Sequence, residues 1–333
     1  MLPFPPRISL ARTPTPFENL NRVGLCNNAP RLWIKRDDLT GSGLSGNKVR
    51  KLEYVIAQAL AEGCDTLITC GGLQSNHCRA TALVGAQLGL SVHLVLREEG
   101  SGELDGNLFL DTLAGALVER IPRKEYFTSI NEILDQRRED YASRGKKAYV
   151  IPTGASDEVG IWGYAQCARE LVEDFKLHDL KRTVIACASG SGGTQAGLSL
   201  GAHYFLPGTK VIGYAVCDDS EYFNNKVRED ITRCCTRYGI ELEVSNLAIE
   251  TRDHAIGPGY AKGYPSLFEC IINTARQSGL LLDPVYTGKG FHGLLKDIEA
   301  GLYADVDDLV FVHTGGIFGT FAFKEQFGFE PKD

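Results

Sequence analysis

Nowhere in the 333 residues does an uninterrupted apolar run approach the ~18 residues a membrane-spanning helix needs, so no span is expected. Basic excess is missing as well. The formal net charge is −7 and the carboxylates are dispersed, which leaves no basic face for nucleic acid. There is no internal repeat and no low-complexity tract. The ten cysteines contain no C-x-x-C pair, and no set of Asp, Glu, His or Cys has metal-ligand spacing, so no metal is expected. Cys64, Cys70, Cys78, Cys187 and Cys217 fall in or beside expected strands and helices, and Cys234-Cys235 is a vicinal pair. Buried free thiols in a reducing compartment are the expectation. The opening Met1-Leu2-Pro3-Phe4-Pro5-Pro6-Arg7 lacks a charged-then-apolar secretory pattern and is too proline-rich for a transit helix. A cytoplasmic location follows as an expectation.

What is present is the balance of a globular protein: 43% apolar and 23% charged residues, over a length that suits two domains. The chain is organised around Ser45-Gly46-Asn47-Lys48-Val49-Arg50-Lys51-Leu52-Glu53-Tyr54. A glycine-rich turn, Gly41 to Gly46, delivers Asn47 as the expected N-cap of a helix starting at or next to Lys48. Val49, Leu52, Val55, Ile56, Ala59 and Leu60 recur at helical spacing, and Gly63 is the expected stop. Lys48 then sits at the positive end of a helix dipole. That field and partial burial both disfavour an ammonium, and an easily neutralised amine suits Schiff-base chemistry. Taken alone, Lys48, Arg50 and Lys51 pass for a solvated basic turn; the rest of the chain argues otherwise. The match of Gly41-x-Gly43-x-x-Gly46 to a dinucleotide fingerprint reads as a coincidence, because the short strand expected near Trp33 shows only Trp33 and Ile34 as strand-like and four charged residues, Lys35 to Asp38, follow them.

Residues 1–30 read as an irregular arm. After the Lys48 helix, strands are expected at Asp65–Cys70, Ser91–Leu96, Leu117-Val118 and Ala148–Ile151, with helices after His77 and Gly106 and over Ile130–Gly145. The alternation then repeats. Strands at Thr183–Cys187, Val211–Val216 and Leu309–His313 are interleaved with helices Trp162–Phe175, Gln195–Leu200, Glu221–Tyr238 and Ser266–Ser278. Leu247–His254 reads as irregular or strand, and Leu281–Thr287 as a short strand with a turn. The fold class is α/β, two open twisted parallel-sheet domains. The large domain is expected to comprise 1–50 and 155–333, and the small domain 51–154.

Three buried strands end in polar, glycine-rich turns, at Gly71–His77, Ala188–Thr194 and Thr314–Gly316, and ligand sites gather at such carboxyl ends. Ser189-Gly190-Ser191-Gly192-Gly193-Thr194 reads as a phosphate cradle, with a tight turn without ligand as the alternative: glycines admit backbone N–H groups, hydroxyls add donors, and a helix start follows. It is no nucleoside-triphosphate loop, since no Lys-Ser/Thr follows. Ser75-Asn76-His77 opens a helix whose free N–H groups suit a carboxylate, although a plain capping sequence would look the same. Tyr260 and Tyr286 lie in turns, where a tyrosine is less often mere core. His77 and His313 are equally well read as structural. A reactive lysine and a phosphate cradle are what pyridoxal 5′-phosphate requires, and a carboxylate-binding helix start is what an amino-acid substrate requires.

Ser45-Gly46-Asn47-Lys48-x-Arg50-Lys51-Leu52-Glu53, Gly72-x-Gln74-Ser75-Asn76-His77, Gly190-Ser191-Gly192-Gly193-Thr194 and Asp283-Pro284-Val285-Tyr286 occur in this order. Together they resemble the 1-aminocyclopropane-1-carboxylate deaminase/D-cysteine desulfhydrase family, within the tryptophan synthase β-like (fold type II) pyridoxal enzymes. The likeness runs from about Arg12 to Gly316. It implies that Lys48 is the Schiff-base lysine, that Asn47 adjoins the cofactor, that Asn76 bonds its ring hydroxyl and that Ser189 to Thr194 hold its phosphate. Ser75 and the N–H groups around Asn76 and His77 would grip the substrate carboxylate, with Ser75 a nucleophile or base in the deaminase branch. Tyr260 and Tyr286 would line the substrate pocket. Where the deaminase pattern has a glutamate and a leucine, this chain has Thr287 and Thr314. A carboxylate keeps the pyridine nitrogen protonated, as opening a cyclopropane demands; a hydroxyl leaves it neutral, which suffices for expelling sulfide. Thr314 is the candidate at that nitrogen, with Thr287 close by. The resemblance implies D-cysteine α,β-elimination by a lyase, as a homodimer. Cyclopropane deamination, elimination on another β-substituted amino acid such as L-cysteate, and a non-catalytic pyridoxal-binding protein are the alternatives.

Overall fold

The computed structural model describes residues 2–20, 29–98 and 102–329. Ten strands among these form two sheets. The six-stranded sheet runs in the order β1 (Phe17–Asn19), β2 (Arg31–Lys35), β10 (Asp308–Val312), β7 (Thr183–Ser189), β8 (Lys210–Ala215), β9 (Ile249–Arg252). The four-stranded sheet runs β5 (Leu117–Ile121), β4 (Ser91–Arg97), β3 (Thr66–Gly72), β6 (Ala148–Val150). Every pairing is parallel except β1 with β2. The central strands β3, β7 and β10 are buried along their whole length, as near-continuous apolar runs between two layers of helices must be.

Ten helices cover the sheets: α1 (Asn47–Ala61), α2 (Asn76–Leu88), α3 (Gly106–Leu113), α4 (Arg123–Ser143), α5 (Trp162–Leu177), α6 (Gly193–Phe205), α7 (Ser220–Tyr238), α8 (Pro265–Ser278), α9 (Thr287–Glu299) and α10 (Ile317–Thr320). Helix α1 leads the chain from one sheet to the other. Its buried stripe of Val49, Leu52, Val55, Ile56 and Ala59 joins Trp162, Ala165 and Ala196 of α5 and α6 in one core.

Four local expectations are corrected. The arm is not wholly irregular, because Phe17–Asn19 pairs with Trp33–Lys35; residues 21–28 of it lie outside the described residues. Helix α4 starts at Arg123, behind Pro122, and bends at Ser129. Asn47 is not the N-cap of α1. Gly46 takes that place at φ 96°, where a Cβ would lie 2.7 Å from the Thr314 carbonyl, and Asn47 is the first helical residue. No strand forms over Leu281–Thr287. The Asp283 carboxylate instead gathers the N–H groups of Val285, Tyr286 and Thr287 at 2.8–2.9 Å, and α9 begins there. Helix α9 is glycine-rich, which disguised it. Gly293 lets it press against the Tyr214 ring, where a Cβ would come within 2.6 Å.

Candidate active site

The carboxyl ends of β3, β7 and β10 meet, and the loops that follow them bound one cleft. Its inner recess holds about 410 Å³ of empty space between Asn47, Lys48, Asn76, Ala188 to Gly192, Thr194, Tyr286, Thr314 and Gly315. Four of these, Lys48, Gly190, Ser191 and Tyr286, also face a larger outer chamber, together with Ser75, His77, Arg97, Tyr126 and Tyr260. The three turns expected to share a cleft therefore do.

Lys48 reaches the recess from the first turn of α1. Its amine makes no hydrogen bond among the described residues, and a Cβ on Gly154 would lie 3.2 Å from it. Burial lowers its pKa from 10.5 to about 8, with only weak opposition from Cys78. Asn47 also lines the recess and donates to the Thr194 hydroxyl at 2.9 Å, tying α1 to α6. The Ser189–Thr194 turn folds tightly against its surroundings. A Cβ on Gly190 would sit 2.8 Å from the Tyr286 ring, and Gly192 takes φ 80° as the N-cap of α6. Ser189 Oγ is buried without a partner among the described residues. Gly193 lies behind the recess wall, where a Cβ would meet Ser156 Oγ at 2.6 Å and Lys51 Nζ at 2.8 Å.

Ser75 is the N-cap of α2, its Oγ accepting from Cys78 N at 3.2 Å, yet it also faces the outer chamber. The capping reading of this turn holds, and the cap does not take Ser75 out of the chamber wall. Asn76 Oδ1 accepts from Asn107 Nδ2 at 3.0 Å, so the Asn76 amide N–H groups are the part free to face the recess. His77 turns its ring to Thr69, at 2.8 Å from Nε2 to Oγ1. Thr69 donates to Ile151 O at 2.8 Å, so Nε2 carries the proton; burial holds this histidine neutral, well below its ordinary pKa. The Tyr260 and Tyr286 hydroxyls meet in a short hydrogen bond across the chamber. Burial and then Tyr260 raise the Tyr286 pKa well above 10.0. His313 is structural: its Nε2 bonds Leu281 O at 3.0 Å.

The two threonines differ in placement. Thr314 lines the recess, and its hydroxyl makes no hydrogen bond among the described residues. Thr287 is fully buried away from both cavities. Its hydroxyl donates to Asp283 Oδ1 at 2.7 Å and accepts from Asp283 N at 3.0 Å, so it shapes the start of α9.

Three residues escaped the sequence reading. Lys51 is fully buried and donates to Ser156 Oγ at 2.9 Å, which in turn bonds Ser191 Oγ at 2.7 Å. This sets a second amine behind the glycine turn, with its pKa driven well below 10.5 by burial and then by Lys48. Its spacing of three from Lys48 put it on the same helix face, a signal available in the sequence. Asn107 and Gln74 orient Asn76: Asn107 N donates to Gln74 Oε1 at 2.9 Å, and Asn107 Nδ2 reaches Gln74 O at 3.0 Å. Nothing in the sequence pairs positions 33 residues apart.

Residues 8–315 match the family model described as pyridoxal-phosphate dependent enzyme. The chain is 42% identical over 328 residues to the bifunctional D-cysteine desulfhydrase/1-aminocyclopropane-1-carboxylate deaminase, mitochondrial, of Arabidopsis thaliana, covering 96% of this chain and 80% of the relative. The chain belongs to the 1-aminocyclopropane-1-carboxylate deaminase/D-cysteine desulfhydrase family. It is also 36% identical over 326 residues to D-cysteine desulfhydrase of Yersinia pestis, covering 96% and 97% of the two chains. A crystal structure of an ACC deaminase homologue superposes with a TM-score of 0.85 at 35% identity, over 97% of this chain and 95% of that one. The protein is thus a pyridoxal-phosphate dependent lyase of the fold type II class.

The residues present fit the cofactor. The turn with no room for a Cβ at Gly190 or Gly193, the Asn47–Thr194 pair and, among the described residues, the unpartnered Ser189 hydroxyl and unbonded Lys48 amine suit a phosphate and an aldehyde. Among the described residues no helix is long and apolar enough to cross a membrane.

Proposed function

We propose that the protein catalyses α,β-elimination on D-cysteine, giving pyruvate, hydrogen sulfide and ammonia. The observation that carries this is the recess wall. Among the described residues it contains the Thr314 hydroxyl and no carboxylate. The nearest acid of the α9 start, Asp283, has both oxygens engaged by backbone N–H groups and Thr287. A neutral wall favours expelling a good leaving group over opening a carbon ring.

When bound, pyridoxal phosphate withdraws electrons from the substrate α-carbon. The protein's own groups do the rest. Ser189 to Thr194 and the start of α6 hold the phosphate, with Asn47 and the Lys51–Ser156–Ser191 chain steadying them. Asn76 would donate toward the ring hydroxyl, and Thr314 would face the ring nitrogen without charging it. The N–H groups at the start of α2, with Ser75 and the backbone at His77, bind the substrate carboxylate. Lys48, kept near neutrality by burial, carries the cofactor and then takes the α-proton. Tyr260 and Tyr286 close the substrate end, with Thr287 and Asp283 fixing where Tyr286 stands.

The segments 1–50 with 155–333 and 51–154 act in this reading as two domains closing on substrate, in a cytoplasmic homodimer. The nine described cysteines are all unpaired, which supports a reducing compartment. The test is product formation by the pyridoxal-loaded protein offered D-cysteine, L-cysteine and 1-aminocyclopropane-1-carboxylate separately. Pyruvate with sulfide from D-cysteine alone is expected. Release of 2-oxobutyrate from the cyclopropane at a comparable rate would overturn the argument from Thr314 and leave the family membership standing.

A further inference from the structure

One buried cation has no part in the chemistry above. Lys289 is fully buried in the first turn of α9, three residues after Tyr286. A cation there opposes the helix dipole, so the helix itself gives it no reason to be present. Its Nζ donates to the Gly259 carbonyl at 2.6 Å and reaches the Val216 carbonyl at 3.4 Å. Among the described residues it pairs with no carboxylate. Burial, opposed by Cys217 and Asp283, lowers its pKa to about 8. An ammonium held only by carbonyls is costly to bury, which points to a local purpose.

That purpose is the loop it grips. Gly259 immediately precedes Tyr260, and its carbonyl also accepts from Lys262 N at 3.2 Å. The loop lies in the left-handed region at Gly257 (φ 65°), Gly259 (φ 125°) and Ala261 (φ 55°), the last a position alanine does not favour. Such a loop keeps its shape only where its surroundings impose it. The first turn of α9 thus carries both partners of one contact: Tyr286 by its own ring, and Tyr260 through the Lys289 grip on Gly259.

We infer that Lys289 is a positioning residue, which fixes Tyr260 against Tyr286 by holding the Gly259 carbonyl from the side of α9. The inference rests on the reading of Tyr260 as a substrate-facing group. The experiment is a double-mutant cycle on the holoenzyme with D-cysteine, using Lys289→Met, Tyr260→Phe and the double variant, with melting temperatures alongside. Each single variant is expected to lose about 10-fold or more in kcat/KM, and the double variant to fall no lower than the worse single within about twofold. Losses that multiply, or a Lys289→Met enzyme within about twofold of wild type, would overturn the inference and leave the functional reading intact. A Tyr260→Phe enzyme of wild-type activity would instead remove Tyr260 from the substrate site, overturning that reading and this inference together. Should Lys289→Met fail to fold, Lys289→Gln fills the site with a polar side chain whose amide stops one bond short of Nζ, and hydrogen exchange replaces turnover. Faster exchange confined to residues 257–263 supports the grip, and unchanged exchange there overturns it.

Discussion

Lys48 and its neighbours show how differently adjacent residues of one motif are used. The Lys48 amine is unbonded and lies in the recess, and its pKa is lowered from 10.5 to about 8 by burial. In the unfolded chain it is protonated at neutral pH, so burying it opposes folding wherever the folded form must also carry the charge. That penalty is full below about pH 8 and vanishes as pH rises past 10.5. Apo Lys48→Met is therefore expected to be more stable than apo wild type at pH 7. The gain is about 1–2 kcal/mol after allowance for solvent at the open side of the cleft. Denaturant titrations should show the difference closing between pH 8 and 10.5. Arg50, two residues on, never touches the recess. It is locked to Asp37 by bonds of 2.8 and 2.9 Å, while Tyr164 and Thr15 donate to the same carboxylate at 2.7 Å. Burial pushes the Asp37 pKa up, but Arg50 and the hydroxyls carry it below 3.8. Arg50 also bonds Glu170 at 2.9 and 3.0 Å, so Asp37→Ala leaves the guanidinium one carboxylate and strips the Tyr164 and Thr15 hydroxyls of their acceptor; a loss of about 2–3 kcal/mol in denaturant titration is expected. The motif could be read as basic; which cation is scaffold and which is chemistry depends on burial that only the packed chain reveals.

At the scale of elements, the strands were legible because buried parallel strands are near-continuous apolar runs, as in Leu309-Val310-Phe311-Val312. Helix α9 was not, since Gly288, Gly290 and Gly293 count against a helix locally. Their reason is tertiary: they bring α9 close to Ala188 and Tyr214 and so set Tyr286 over the cradle. The cradle itself was readable as a turn before a helix, but its tightness was not. Gly193→Ala would push a methyl toward Ser156 Oγ and Lys51 Nζ, at 2.6 and 2.8 Å, and displace the amine behind the turn proposed to hold the phosphate. We expect pyridoxal phosphate to dissociate about 10-fold more readily, with little change in apo stability, as read by cofactor absorbance during dialysis.

Across the whole molecule the site belongs to both sheets. Arg97, at the end of β4 in the four-stranded sheet, lays its guanidinium 4.6 Å from the ring centre of Tyr260, in a loop beyond β9 of the other sheet, and 5.3 Å from Tyr126. On the proposed reaction and domain closure, removing this bridge in Arg97→Leu is expected to raise KM for D-cysteine several-fold, with a smaller effect on kcat. Steady-state kinetics check this, and small-angle scattering with and without a non-reacting D-amino acid checks the closure. The sequence alone determined the α/β class, most of the strands and helices, and the glycine turns and helix starts that carry Lys48, Ser75 and Ser189 to Thr194, since each is written in local spacing. Only the tertiary structure decided that Thr314 faces the recess while Thr287 turns to Asp283, that Lys51 stands behind the phosphate turn, and that Asn107 orients Asn76. These depend on which distant segments come within 3 Å of one another, and local spacing along a chain carries no record of that.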